Sequence, residues 1–574
     1  MSVISSLTAK CKDCHACIRA CPVKAISLRN GQAQVVDDRC IVCGLCVMTC
    51  PQRAKTVQDG TSAVEKWQAE GFPMVVSLAP SFPAAFPDLE PLQVIAGLEA
   101  LGFSYVEETA IAATSIARHY QAQVSGSPGK TAISSCCPVV VNLVELYFPE
   151  LIAHLVPTVS PMILHGKKLK EQFGAKVVFI GPCAGKIDES LRPAVIDRID
   201  AVLTFRQLAK LWRKRGIDPK LLSARALPTA GRSVARLYPL RHGLLAASGI
   251  EPTLTKRIAH VAGIENCKEL FADLLARRLQ PAFIEAFACR EGCVGGPEMP
   301  CTGGVLARRE AVIRYHEQTA ASPAVSACSG EVSPVWAVPP AEFLARRPQF
   351  GVPSEREIRS VLEMIGMESA TDERNCGGCG YPTCREKAVA ALQGLAEAEM
   401  CIPFMRAKFE SLSHLVVESS PNGVVVVNSD LTIHQFNAEA ERMFNPTRRS
   451  TKGAHLAEFF DPLDFICAQS TGQVIYRRVE HADLGLVTRQ VIYTLPEYSL
   501  VIGIVTDITD EERRHRELEA KHQVTIQRAT AVISNQMKLA QQIAGLLGES
   551  TAATKATLFE LINSLTDGNG DVTK

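Results

Sequence analysis

A chain of 574 residues with 61 basic and 60 acidic side chains carries almost no net field. Its length suits roughly three to five domains, and its charge balance excludes the broad basic surface of a nucleic-acid binder. No apolar run approaches the roughly 18–20 residues that span a bilayer, so no membrane role is expected. The opening residues MSVISSLTAKCKDC reach a cysteine motif too soon for a secretory leader. The 21 cysteines are therefore expected in a reducing cytoplasmic setting, as metal ligands or reactive thiols rather than disulfides.

Residues 1–60 form a short, cysteine-dense segment that cannot build much of a core and needs staples. Cys11, Cys14, Cys17 and Cys21, followed by Pro22, make C-x2-C-x2-C-x3-C-P; Cys40, Cys43, Cys46, Cys50 and Pro51 repeat it. Three closely spaced thiolates cap one face of a cubane, and the fourth ligates the other cluster in two-cluster ferredoxins. Cys21 is thus expected to serve the second cluster and Cys50 the first. Zinc sites rarely use such a run of four. The segment reads as a two-[4Fe–4S] ferredoxin domain, an electron relay.

From 70 to 365 the pattern changes. Short apolar runs (Val75–Leu78, Thr131–Ser135, Lys176–Ile180) alternate with amphipathic stretches such as Pro91–Leu101 and Val140–Leu155. This alternation predicts an α/β domain with parallel strands. Three cysteine sites lie far apart in it: Ser134-Ser135-Cys136-Cys137-Pro138, Gly181-Pro182-Cys183-Ala184-Gly185-Lys186, and Phe283 to Gly296 with Glu285, Cys289 and Cys293. Two follow strand-like runs, where ligand sites of open α/β sheets form. Cys289 and Cys293 are spaced to share one face of a helix. Glu285 reads either as an acceptor near the site or as a plain helix carboxylate. Cys267, Cys301, Cys328 and Cys467 are not expected to be ligands, Cys301 being the least clear.

These three segments resemble the signature loops of the [FeFe]-hydrogenases. The likeness implies that Cys137, Cys183, Cys289 and Cys293 hold the [4Fe–4S] part of an H-cluster, with Cys293 bridging to its diiron subcluster. It implies that Lys186 donates to an iron-bound cyanide, as a compact ammonium can, and that Cys136 delivers protons to the open iron site. Ala79, Pro80 and Ser81 match a family segment lining the diiron pocket; Ser160, Pro161 and Met162 match another more loosely. The sequence also departs from the family. Gly181 stands where the prototypes have methionine, and Val140 where a tryptophan commonly follows the first loop. The glycines after Cys293 come one residue early. The acidic pair of the usual proton path is missing: Glu107 and Glu108 come too early, and Arg118-His119-Tyr120 occupies its place. Fast turnover is therefore more in question than cofactor binding.

Ser127-Pro128-Gly129-Lys130-Thr131 ends like a phosphate-binding loop, but the required first glycine falls at Val124. No GxGxxG fingerprint occurs, so electrons are expected from ferredoxin or an internal partner, not from nicotinamide. Around Glu331–Pro353 the chain is proline-rich and reads as a linker. Residues 366–410 hold Cys376, Cys379, Cys384 and Cys401, in a C-x2-C-x4-C arrangement with the fourth cysteine just before Ile402-Pro403. This resembles the small four-cysteine [4Fe–4S] domain of multi-cluster redox proteins.

Residues 411–510 resemble a PAS α+β domain. Ser420-Pro421-Asn422-Gly423 precedes a strand, Phe436-Asn437-Ala438-Glu439-Ala440 opens a helix, and Asp507-Ile508-Thr509-Asp510 closes the last strand. His434, His455 and His481 are expected as ordinary core or surface histidines. Residues 511–574 are too few for a kinase domain. Their regularly spaced apolar residues predict an output helix that pairs with itself as a homodimer or with a phosphatase or kinase effector. The order of segments resembles the sensory [FeFe]-hydrogenases, with H2 and protons as substrates. Two other readings stay open: a catalytic, ferredoxin-linked hydrogenase with a regulatory PAS appendage, and a non-hydrogenase iron–sulfur relative without the diiron unit.

Overall fold

Strands covered on both faces read as continuous apolar runs, and Met74–Leu78 and Lys176–Gly181 are of that kind. They lie side by side in a four-stranded parallel sheet ordered Tyr105–Glu108, Met74–Leu78, Lys176–Gly181, Ala201–Thr204. The computed structural model describes residues 2–126, 130–225, 234–250, 257–300, 303–321, 335–445, 449–459, 461–546 and 552–566. It divides into two units, Met1–Met405 and Arg406–Lys574.

In the first unit a second parallel sheet joins Ile258–Ala262, Phe283–Phe287 and Ala132–Ile133. The expected strand Thr131–Ser135 is shorter because Ser135 turns to another partner, while Ser134 stays bonded to the strand Phe283–Phe287. Ser134 Oγ accepts from Ala286 N at 2.9 Å, and Ser135 N donates to the Tyr120 hydroxyl at 2.9 Å. The expected helix Val140–Leu155 is two elements, Pro138–Tyr147 and a 3-10 turn Pro149–His154. Pro149 ends the first because the residue before a proline leaves the helical region.

The helical reading of Cys289 and Cys293 is wrong. Phe283–Phe287 is a fully buried strand and Arg290–Cys293 another. Gly292 has φ +76°, and a Cβ there would lie 2.3 Å from the Pro239 carbonyl oxygen. A left-handed residue pressed against foreign backbone bends the chain back, which a helix cannot do.

The N-terminal segment is clasped by the antiparallel pair Ile4–Ser6 and Lys55–Val57 and carries a hairpin, Ile26–Arg29 with Gln32–Val35. Two matching short helices, Ala16–Ala20 and Leu45–Thr49, each follow a left-handed residue. The Tyr147 hydroxyl donates to the Arg39 carbonyl at 2.7 Å and ties this segment to the α/β core. The described part of the proline-rich stretch is not a free linker. Trp336 N donates to Ser115 Oγ, Leu344 N to Glu145 Oε1, and Arg346 pairs with Glu145 at 2.7 Å.

The helices Glu355–Met364 and Cys384–Leu392 pack through Ile358, Leu362 and Ala388. This small domain docks on the N-terminal segment. Lys24 Nζ donates to the Gly380 carbonyl at 2.8 Å, Leu28 N to the Leu395 carbonyl at 2.9 Å, and Asn30 N to Glu397 Oε1 at 2.7 Å. The domain boundary expected at 410 falls inside the helix Ile402–Glu418.

The second unit is a five-stranded antiparallel sheet ordered Ile433–Phe436, Gly423–Asn428, Leu500–Asp507, Leu486–Leu495, Ile475–His481. Helices Ala438–Phe444 and Leu463–Thr471 bury Ala440, Phe444 and Phe465 in its core. Asn437 caps the first: its Oδ1 accepts from Ala440 N at 3.0 Å and Val424 N at 2.7 Å. Thr509 N and Oγ1 both donate to Asp507 Oδ1, and this turn starts the helix Thr509–Leu546. A further helix runs over Ala552–Thr566. No helix among the described residues is long and apolar enough to cross a membrane.

Candidate metal centres

The strand ends bring the three central cysteine sites together. Cys137 stands directly before the helix Pro138–Tyr147, and Cys183 between the strand Lys176–Gly181 and the helix Gly185–Ser190. Cys289 lies in the turn between the two strands of the third site, and Cys293 closes the second of them. All four line one apolar cavity of about 100 Å³, with Cys136, Lys186, Ala79, Pro80, Ser81, Pro161 and Met162. Ser160 does not line it; this residue faces a neighbouring cavity beside Lys167 and Arg198. It precedes the helix Pro161–Phe173, which turns Pro161 and Met162 to the central cavity instead.

Burial pushes the thiols of Cys136 and Cys183 up to about 12, with the neighbouring Cys137 adding to the effect. Cys289 and Cys293 are raised for the same first reason. Thiols of this kind are protonated at neutral pH and become thiolates only when a metal takes the proton's place. An apolar cavity lined by four convergent sulfurs suits a metal–sulfur cluster, since an unmetallated thiolate there would be a bare buried charge.

Lys186 is the fixed cation of the cavity. Burial works against its charge, but Glu189 Oε2 at 2.8 Å holds it protonated above its ordinary value. Its Nζ also donates to the Cys136 carbonyl at 3.3 Å. Tyr238 was not foreseen from the sequence. Its buried hydroxyl sits beside the Cys136 thiol and has no oxygen or nitrogen partner of its own.

The departures from the family pattern also acquire causes. A Cβ on Gly181 would lie 2.7 Å from the Phe179 ring, so that ring takes the room a larger residue would need. Tyr120, in the place of the missing acid, is fully buried and bonded to Ser135. Glu107 and Glu108 are both buried and engaged elsewhere, Glu107 with His165 at 2.8 Å and Glu108 with Arg236 at 2.7 Å. Glu285 is a strand carboxylate. It accepts from His242 N, Leu244 N and Leu245 N and from His260 Nδ1, so it caps the helix Gly243–Ser248.

In the N-terminal segment Cys21 lies near Cys40, Cys43 and Cys46 of the other run, and Cys50 near Cys17. Cys40, Cys43 and Cys46 each feel the charge of Cys21, and Cys17 that of Cys50 and Cys11. Backbone N–H groups of Ala25, Val42 and Ala54 donate to the sulfurs of Cys21, Cys40 and Cys50. Cys43 also lines the central cavity, so the second set of sulfurs adjoins the first four.

A third cavity is lined by Cys376, Cys379, Cys384 and Cys401. Asn375 Oδ1 accepts from Cys384 N at 2.8 Å and closes the loop on the helix start. Cys267 is buried, with its thiol 3.6 Å from the Phe287 carbonyl, and Cys467 is exposed. Cys301, Cys328 and the start of the Ser127–Thr131 stretch lie outside the described residues.

Two cysteine-lined cavities and a cysteine-dense N-terminal segment on one framework define an iron–sulfur protein. Three family profiles match in the same order. Residues 4–51 match a 4Fe-4S dicluster domain, residues 72–297 the iron only hydrogenase large subunit, C-terminal domain, and residues 372–403 an Fe-S cluster domain. Residues 72–297 are thus similar to the C-terminal domain of the [FeFe]-hydrogenase large subunit. The periplasmic [Fe] hydrogenase large subunit of Nitratidesulfovibrio vulgaris is 29% identical, over 30% of this chain and 52% of that protein. Iron hydrogenase 1 of Clostridium pasteurianum is also 29% identical, over 29% of this chain and 37% of its own. The cytosolic Fe-S cluster assembly factor NAR1 of Encephalitozoon cuniculi is 27% identical, over 29% and 51%. The chain spans about half the length, or less, of these curated relatives. A solved structure of the [FeFe]-hydrogenase HydA(deltaEFG) aligns at 19% identity and a TM-score of 0.40, over 51% of this chain and 100% of that one.

Proposed function

We propose that this protein binds H2 and oxidises it reversibly at an H-cluster in the central cavity, and that it uses the reaction to sense H2 or redox state. One observation carries the reading: Cys136 and Lys186 line the same cavity as Cys137, Cys183, Cys289 and Cys293. A cavity for a cubane alone needs the four sulfurs but neither the cation nor the extra thiol. When bound, the diiron part supplies the open iron site at which H2 is split. The chain's own residues do the rest. Cys136 takes or returns a proton at Sγ, Tyr238 holds its hydroxyl beside that sulfur, and Lys186 offers N–H donors into the cavity while Glu189 keeps it charged.

The sensory half of the reading rests on two features. The carboxylates near the strand end are spent on His165 and Arg236, which favours slow proton exchange over turnover. The second unit has the strand order 2-1-5-4-3 expected of a PAS domain and continues into the helix Thr509–Leu546. Electrons would pass by the N-terminal cluster pair, whose second set of cysteines adjoins the central cavity through Cys43 and the third site through Tyr381. The domain bearing Cys376, Cys379, Cys384 and Cys401 would hold a further [4Fe–4S] cluster. The signal would leave through the C-terminal helix to a phosphatase or kinase, or to a second copy of the chain.

The likeness to an assembly factor supports a second reading, in which no diiron unit is held. Infrared spectroscopy after maturation separates the two. CO and cyanide bands are expected; their absence from a fully iron-loaded sample overturns the hydrogenase reading.

A further inference from the structure

A buried lysine stands beside each group of cysteines, and the three are treated differently. Lys55, near Cys17 and Cys46, donates to Ser6 Oγ and to the Ala33 carbonyl at 2.6 Å. Lys186 is held by Glu189 at 2.8 Å. Lys387 is 1% exposed and lines the cavity of Cys376, Cys379, Cys384 and Cys401, yet among the described residues its Nζ has no hydrogen-bond partner. It projects from the helix Cys384–Leu392, three residues after a ligand candidate and so on the same face. The carboxylate within its electrostatic reach, Glu399, is exposed and screened by solvent.

A buried ammonium without acceptors is costly unless negative charge faces it. Among the described residues, the strongest negative charge on it comes from Cys401 and Cys379, ahead of the exposed Glu399, and the metal group held by the four sulfurs would add to it. We propose that Lys387 raises the reduction potential of the third cluster. This rests on the four-cysteine cavity holding a [4Fe–4S] cluster. Reduction adds one electron and no other atom, and a fixed cation in a poorly screened site stabilises the reduced form more than the oxidised one. Glu189 offsets the charge of Lys186, so the central site receives less of this effect. Lys55 donates to neutral oxygens, which offset none of its charge, beside Cys17 and Cys46, so the N-terminal pair receives a comparable one.

The test is a potentiometric titration of the full, iron-loaded chain followed by electron paramagnetic resonance. The third cluster's signal is the one lost in Cys384→Ser. Lys387→Gln should make that cluster about tenfold harder to reduce at a fixed potential, a shift of about 59 mV for a one-electron couple. Lys387→Arg, which keeps the charge, should stay within about twofold. An unchanged midpoint in Lys387→Gln overturns the proposal. So does loss of the signal in both lysine variants, which would make the residue a requirement for cluster retention. A parent chain with no signal sensitive to Cys384→Ser would instead overturn the cluster itself.

Discussion

The ring of Phe179 lies 2.7 Å from the point where a Cβ on Gly181 would stand, and both residues belong to the strand that delivers Cys183 to the central cavity. The cavity wall here is an aromatic ring reaching across from two residues earlier. Gly181→Ala should therefore destabilise the chain by about 1–3 kcal/mol through overpacking. Gly181→Met combined with Phe179→Ala should recover most of that loss, as read from denaturant midpoints. If the single and double variants are equally unstable, the ring is not what excludes a side chain there.

Cys136→Ala should lower H2 oxidation by roughly 10²- to 10⁴-fold, the usual contribution of a positioned acid or base. The CO and cyanide bands should persist, because Cys136 precedes the cubane sulfurs without being one of them. Gas uptake and infrared spectra on one sample decide between a proton-transfer role and a structural thiol.

Glu108 and Arg236 form an ion pair whose side chains are 4% and 3% exposed, and the Tyr315 hydroxyl also donates to Glu108. Breaking such a pair leaves an uncompensated buried charge, so Glu108→Gln should cost about 3–5 kcal/mol. Cluster content measured at low temperature should be unchanged. A variant as stable as the parent would show that the pair is solvated.

Burial lowers the imidazoles of His119, His316 and His481 below their usual value. A folded-state pKa below the unfolded one means that the unfolded chain takes up the proton first. The stability tied to these groups is complete above about pH 6.5, the unfolded value, and is lost as pH falls through their folded values. Glu298, raised by burial, acts in the opposite sense at lower pH. Replacing all three histidines by glutamine should flatten the urea midpoint between pH 7.5 and 5.5 relative to the parent.

In metal-free protein, iodoacetamide at neutral pH should modify the exposed Cys14, Cys376 and Cys467 first. Cys40, Cys46 and Cys183, each pushed up to about 12 by burial, should react far more slowly. Peptide mapping over time checks the order. Rapid labelling of Cys183 would mean that the central cavity opens without its metal.

Much of the site was legible because cysteine spacing and short loop motifs are local. The ligand candidates Cys137, Cys183, Cys289 and Cys293, and Cys136 beside the first of them, needed only their flanking strands and prolines to be placed. Cys289 and Cys293 were misassigned to a helix because a spacing of four fits that period. Gly292 and the pressure of Pro239 on it, which decide otherwise, are a contact between distant parts of the chain. Tyr238 and Phe179 carried no motif, and only packing shows that they reach the cavity. Ser160 was read with its two neighbours, but the turn into the helix Pro161–Phe173 sends it the other way. The proline-rich stretch looked like a linker because its partners, Ser115 and Glu145, lie some 200 residues earlier.

The contact at Gly380 bears on how such a chain can be built or rebuilt. A Cβ there would lie 2.9 Å from Ile18 Cγ2, on the helix that carries Cys17. The N-terminal relay and the four-cysteine domain are thus fitted to each other across more than 350 positions of sequence, with the whole α/β core threaded between them. They are not interchangeable cassettes. A chimera that takes its first 60 residues from another ferredoxin, and keeps Gly380 with its surroundings, would carry a mismatched joint where the N-terminal segment meets the third site. Transplants should succeed when both ends travel together.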